Sequence, residues 1–112
     1  MDENYRGIQA RVQKVLVEQA SQGKTLGYDE LARKAELPFG GRNPILWSLL
    51  AGVSRAEHAN GRPLLSAIVV NGKGMPGSRF FDLARELGFD VSDETAFWTE
   101  QVKLVFSMVV PI

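Results

Sequence analysis

The chain has 112 residues, which predicts a single domain over residues 1–112. Hydrophobic residues make up 45% and charged residues 23% of it, with a formal net charge of zero, as in ordinary soluble domains. The absence of cysteine excludes a disulfide framework and a thiol nucleophile. The sequence has neither a signal-peptide pattern nor a run of about 20 apolar residues, so it predicts a cytoplasmic protein without membrane contact.

The chain begins with two predicted helices. The first spans about residues 4–22, where apolar residues recur at helical spacing and Gly23 ends the pattern. The second is short and spans about residues 28–36. Gly27 is its expected N-cap, and Glu30 at the third helical position completes a partial capping box.

The third helix is predicted over residues 44–59, because Asn43 is a strong N-cap and Pro44 suits the first helical position. One face is apolar and is the expected core face: Ile45, Leu46, Leu49, Leu50, Val53 and Ala56. The opposite face carries Trp47, Ser48, Ala51, Ser54, Arg55 and His58. A tryptophan there is either covered by a neighbouring helix or part of a contact surface for nucleic acid or protein.

The second half of the chain predicts a strand, a turn and two helices. The strand covers residues 63–71 and is expected to be buried, and the glycine-rich segment 72–77 is the turn or wing tip. Ser78 is expected to cap a helix over about 79–87, and Ser92 a helix over about 93–106.

These elements, in this order, predict an α+β fold that is mostly helical. The core is a winged helix-turn-helix-like unit with a small β-ribbon over about residues 24–88, flanked by N- and C-terminal helices. The last helix is too apolar to be fully exposed. We expect it to close the core, with a homodimer seam as the alternative, and Met108, Val109 and Val110 as a possible self-association segment.

The charge is unevenly distributed along the chain. Residues 33–79 carry seven basic against two acidic residues, whereas residues 80–112 carry two basic against six acidic ones. The basic segment coincides with the predicted helix-turn-helix and wing, so it indicates a surface for a polyanion. Lys73 and Arg79 flank the wing turn and are candidates for phosphate contacts.

The turn before the third helix is a second candidate for anion binding. Gly40, Gly41, Arg42 and Asn43 bring backbone N–H groups, a helix dipole and one cation together. The alternative is that the two glycines serve only the geometry of the turn.

Part of the chain resembles a known family. The sequence TLGYDELA at residues 25–32 resembles the entry to the helix-turn-helix of the alkylguanine-DNA alkyltransferases and their non-catalytic alkyltransferase-like relatives, and LSAIVVN at 65–71 takes the place of their reactive Pro-Cys-His-Arg-Val-Val segment. The glycine turn and the helix after it are also similar. The resemblance covers about residues 24–88 and implies a DNA-binding winged helix.

The departures from this family remove its chemistry. The reactive cysteine position is Ser66 here, and its histidine and arginine neighbours are Ala67 and Ile68. Tyr28 matches the family's tyrosine, which implies contact with a nucleotide, although packing at the start of a helix would equally explain it. His58 is the only histidine, and no cluster of residues has metal-ligand spacing.

The sequence therefore predicts a non-catalytic nucleic-acid-binding protein, with double-stranded DNA as the expected partner, no cofactor and no metal. The alternative is a protein-interaction or regulatory module on the same fold, for example in a host-defence or mobile-element system, as a monomer or homodimer. The candidate binding residues are Tyr28, Arg42, Asn43, Trp47, Ser48, Arg55, Lys73 and Arg79.

Overall fold

The computed structural model describes the backbone of residues 3–108 and the side chains of residues 5–107. These residues form a mostly helical α+β fold, as predicted. In chain order the elements are α1 (Glu3–Ser21), β1 (Leu26–Gly27), α2 (Tyr28–Lys34), α3 (Pro44–Ala59), a 3-10 helix (Leu65–Ile68), β2 (Val69–Val70), α4 (Ser78–Glu86) and α5 (Glu94–Met108). None of the helices in the described part of the chain has the length and apolar character needed to cross a bilayer.

The predicted helices all form, but only some of the predicted N-cap residues are the ones that cap them. The Asn43 side chain accepts a hydrogen bond from the Ile45 N–H at 2.9 Å, which confirms the cap of α3. The other two side-chain caps were wrong. Gly77, not Ser78, is the N-cap of α4, and at the start of α5 the Asp93 carboxylate accepts from the Ala96 N–H at 3.0 Å, a cap that Ser92 had been expected to supply.

The predicted strand over residues 63–71 was mostly wrong. Only Val69–Val70 is a strand, and the four residues before it form the 3-10 helix. Residues 64–70 are all buried, and a short apolar run that is buried on every side has no periodicity to separate a strand from a helical turn. The β-ribbon is also absent from residues 3–108, where the one sheet is a parallel pair of β1 and β2, with Leu26 opposite Val69 and Gly27 opposite Val70.

The third helix lies at the centre of the core, with a buried face that differs from the predicted one. Ile45 is 47% exposed and Ala56 is also exposed, whereas Ser54 and Glu57 are buried. The 3-10 helix packs against the Ser54 side of α3, and this contact turns the buried face away from Ile45. Burial of the two polar residues follows from this rotation.

Both buried polar residues of α3 have internal partners. Ser54 Oγ donates to Ser66 Oγ at 2.7 Å and accepts from the Ser66 N–H at 3.1 Å. The Glu57 carboxylate accepts from Gln13 Nε2 at 2.9 Å and is ion-paired with Arg62. The Glu57 carboxylate accepts a hydrogen bond from Arg62 Nε, and this bond together with the negative charge of Glu57 raises the pKa of the Arg62 guanidinium above its ordinary value. These bonds satisfy groups that would be costly to bury alone.

The last helix closes the core, as expected. Phe97, Trp98 and Val102 pack against one cluster of buried residues, and Val105 belongs to the other. The Trp98 indole N–H donates to the Ala67 carbonyl oxygen at 2.8 Å, which fixes α5 against the 3-10 helix. The segment Met108, Val109 and Val110, which we had considered for self-association, lies outside the described side chains.

The first four helices end in the same kind of turn, in which one residue adopts a left-handed backbone. Those residues are Gly23, Glu36, Gly61 and Gly88, with φ of 66°, 54°, 73° and 95°. At the end of α2 the Leu37 N–H donates to the Ala32 carbonyl at 2.9 Å and the Glu36 N–H to the Arg33 carbonyl at 3.1 Å, a Schellman motif. Glu36 is the single non-glycine residue among those described that has a positive φ.

Replacing Glu36 with glycine should therefore stabilise the protein by about 0.5–1 kcal/mol, because glycine adopts this backbone without the Cβ penalty. Urea denaturation followed by circular dichroism measures the free energy of unfolding. The matched reverse change is Gly88→Ala, where a Cβ would meet no other atom within 4 Å and only the backbone conformation is penalised. A Glu36→Gly variant that is less stable than the wild type would contradict this explanation.

Candidate functional site

An open groove lies where two turns meet beside Tyr28. Its volume is about 500 Å³. One turn connects α2 to α3 and the other follows β2. We call it the Tyr28 groove, and it is lined by Gly27, Tyr28, Asp29, Glu30, Gly41, Arg42, Val70, Asn71 and Gly72.

The first wall of the Tyr28 groove is the turn before α3, which rests directly on the start of α2. The Gly41 N–H donates to Asp29 Oδ1 at 2.9 Å. A Cβ atom on Gly41 would lie only 2.5 Å from the Asp29 nitrogen and 2.5 Å from the Tyr28 carbonyl carbon. Glycine is required here for close backbone approach, and the contact fixes the position of the neighbouring Arg42.

The second wall is the turn after β2, which is held by the Asn71 side chain. Asn71 Oδ1 accepts from the Lys73 N–H at 2.9 Å and from the Met75 N–H at 3.4 Å. The Asn71 backbone N–H donates to the Met75 carbonyl at 2.7 Å. This Asx-type turn presents the exposed Lys73 at its tip.

Tyr28 connects the groove to the start of α4. Its half-buried ring packs against the core, and its hydroxyl accepts from the Gly77 N–H at 3.4 Å. Tyr28 therefore has a structural role in packing. The ring also lines the groove, so the same residue can contact a molecule that occupies it.

Most of the backbone N–H groups at the start of α3 already have acceptors. Gly41 donates to Asp29, Asn43 to the Gly40 carbonyl and Ile45 to the Asn43 side chain. The fold therefore does not provide an anion site built from free N–H groups at this turn. The side chain of Arg42 remains as the anion-binding group of the turn.

A second, smaller groove of about 150 Å³ lies between α3 and α4. We call it the Trp47 groove, and it is lined by Trp47, Ala51, Arg55, Arg79, Asp82, Leu83 and Glu86. Trp47 is half-buried and packs against both core clusters, so it serves as second-layer core while one side of it remains accessible. The groove has charges of both signs.

The basic residues of the segment 33–79 divide into two groups. Lys34, Arg55 and Arg62 each have a carboxylate partner, respectively Glu30, Glu86 and Glu57. Arg33, Arg42, Lys73 and Arg79 have none within 4.0 Å among the described side chains. The unpaired cations therefore include Arg42 and Arg79, which line the two grooves, and Lys73, which follows a residue of the Tyr28 groove.

The fold distributes the eight predicted site residues over three places. Tyr28 and Arg42 line the Tyr28 groove, with Lys73 beside it. Trp47, Arg55 and Arg79 line the Trp47 groove. Ser48 is exposed on α3, and the Asn43 side chain caps the start of that helix.

Sequence reasoning missed four residues that shape these grooves: Asp29, Asn71, Asp82 and Glu86. The Asn-Gly-Lys sequence at 71–73 is a signal for an Asx turn and could have identified Asn71. The others act through contacts with distant parts of the chain, for which the sequence has no local signal.

The Ser66 hydroxyl and the His58 imidazole lie outside both grooves. Ser66 is 2% exposed and hydrogen-bonded to Ser54. His58 stacks on Phe89 with ring centroids 5.2 Å apart, away from both grooves. The described residues contain no group of three or more potential metal ligands.

Comparisons with protein-family models, curated proteins and solved structures find no match. The grooves therefore have to be interpreted from their own geometry and charge.

Proposed function

We propose that this chain is a non-catalytic DNA-binding protein with a winged-helix-like fold in which the turn over residues 72–77 stands in place of the β-ribbon. The fold is similar in outline to the DNA-binding domain of the alkyltransferases. Double-stranded DNA would lie against the Tyr28 groove, the outward face of α3 and the segment from Lys73 to Arg79. The observation that carries the proposal is that three cations, Arg42, Lys73 and Arg79, have no carboxylate partner among the described side chains, and that Arg42 and Arg79 line the two grooves.

The acidic groups of the Tyr28 groove do not oppose this proposal. The Asp29 carboxylate is occupied by the Gly41 N–H, and the Glu30 carboxylate lies 3.8 Å from the Lys34 ammonium group. Both charges are therefore partly compensated inside the protein. A phosphate approaching Arg42 or Lys73 meets donors on rigid turns, which lowers the entropy lost on binding.

The outward face of α3 allows a close approach of a polyanion backbone. It carries mostly small side chains, among them Ser48, Ala51 and Ala59. Such side chains do not hold the helix away from a surface. No reaction is proposed, because Ser66, which stands where the similar family has its reactive cysteine, is buried and hydrogen-bonded.

Binding of the wild-type protein to DNA tests the proposal. The fluorescence anisotropy of a labelled 20-base-pair duplex should rise with protein concentration at 50 mM salt, with a Kd in the micromolar range that is typical of binding through phosphates. Single-stranded DNA and duplex RNA of the same length are the comparison ligands. No rise in anisotropy with about 100 µM protein would refute DNA binding.

A second candidate is a protein-interaction module that uses the Trp47 groove. It is favoured by the mixed charge of that groove, where Asp82 and Glu86 would repel phosphates, and by Trp47, a residue type common at binding hot spots. A partner held through Trp47 should be lost in pull-downs with Trp47→Ala and be little affected by salt, whereas DNA binding should weaken steeply as salt rises.

A further inference from the structure

Arg55 is the only lysine or arginine in α3, and it is not free. It lies on the outward face of the helix, its side chain is 50% exposed, and its Nη1 is ion-paired with Glu86 of α4. The Glu86 side chain is 57% exposed, so the pair lies at the surface in contact with solvent. Around it the outward face of α3 carries small residues, Ser48, Ala51 and Ala59, together with Trp47 and His58, so Arg55 is the one lysine or arginine that this helix can offer.

We infer that Glu86 is an internal competitor for Arg55 and sets the affinity of the surface for DNA. In the free protein the Glu86 carboxylate occupies the position that a phosphate would take on Arg55. When DNA binds, Arg55 exchanges Glu86 for a phosphate. The inference rests on the proposed function, because it assigns a role to a residue pair in the same surface.

The physical chemistry of an exposed ion pair makes this exchange possible. Pairs in contact with solvent are weak and are screened by salt, so a phosphate can displace Glu86 without rearrangement of the fold. A guanidinium group binds carboxylate and phosphate with the same set of N–H donors, so the two anions compete for one site. The strength of exposed pairs corresponds to a roughly two- to fivefold effect on affinity.

The chain offers a matched control for Glu86. Asp82 lies one turn earlier on α4 and lines the same groove, but its carboxylate is 3.4 Å from Arg85 and is not paired with Arg55. Glu86→Gln and Asp82→Asn each remove one negative charge from the groove. Only the first of them releases Arg55.

The test measures duplex binding by anisotropy for the wild type, Glu86→Gln, Asp82→Asn, Arg55→Ala and the double variant Arg55→Ala with Glu86→Gln. Glu86→Gln should bind about two- to fivefold more tightly than the wild type. Its slope of log K against log salt should match that of the wild type, because Arg55 contacts a phosphate in both complexes. Asp82→Asn should have a smaller effect, and Glu86→Gln should give no gain in the Arg55→Ala background. Thermal melting confirms that each variant is folded.

Each outcome of this test is decisive. Equal gains for Glu86→Gln and Asp82→Asn, or a gain that persists without Arg55, would mean that Glu86 acts only as a general negative charge. Wild-type binding that Glu86→Gln leaves unchanged would overturn the inference but leave DNA binding intact. No binding by the wild type would overturn both proposals, whether or not Glu86→Gln binds.

Discussion

Replacing Gly41 with alanine should lower the free energy of unfolding by about 2–3 kcal/mol, although the change adds a single methyl group. The methyl carbon would lie 2.5 Å from two backbone atoms at the start of α2. Backbone atoms cannot move aside as a flexible side chain does, so the turn has to separate from α2. The hydrogen bond from the Gly41 N–H to Asp29 would be lost with it, and urea denaturation measures the effect.

Gly40→Ala is the matched control, because the two glycines are neighbours with different surroundings. A Cβ on Gly40 would meet only Asp29 Oδ1, at 3.9 Å, which is an ordinary contact. This variant should remain within about 0.5 kcal/mol of the wild type, as surface substitutions usually do. If both variants were equally stable, the turn would not rest on α2 as the structure has it.

The double charge reversal Arg42→Glu with Lys73→Glu should weaken duplex binding by roughly 30-fold, or about 2 kcal/mol. Each change removes a phosphate donor from one wall of the Tyr28 groove and places a negative charge there. Both side chains are exposed and neither has a carboxylate partner among the described residues, so the fold itself should be unaffected. Anisotropy at 50 mM salt measures the loss of affinity.

The control for this variant carries the same change of net charge in a different place. Lys14 on α1 and Lys103 on α5 are exposed and line neither the Tyr28 groove nor the Trp47 groove. Reversal of both should reduce binding much less, because interactions beyond about 10 Å are screened at this ionic strength. Equal losses for the two double variants would indicate attraction by net charge and not by the Tyr28 groove.

Helices could be predicted from this sequence because their signals are local. The start of α3 follows from Asn43 and Pro44, and the end of α1 from Gly23. The segment over residues 63–71 could not be assigned in the same way, because burial on all sides removes the alternation that identifies a strand. Its burial was predicted correctly, whereas its conformation depends on packing against α3 and α5.

The sequence suggests candidate residues for the site, but it does not show which of them lie together in the fold. Tyr28 and Arg42 meet Asn71 only because β1 pairs with β2 across more than 40 residues of chain. The pairing of Arg55 with Glu86 likewise joins two helices that no sequence pattern connects. The sequence shows which residues are cations, and tertiary contacts decide which of them remain unpaired.

The most direct test of the central claim is the salt dependence of duplex binding by the wild-type protein. With phosphates on Arg42, Lys73 and Arg79, and with a fourth on Arg55 in exchange for Glu86, the slope of log K against log salt should be about −3.6. Affinity should then fall by about 150-fold between 50 mM and 200 mM salt. Failure to bind at 50 mM salt, or binding that does not change across this range, would contradict an interface made by these four cations.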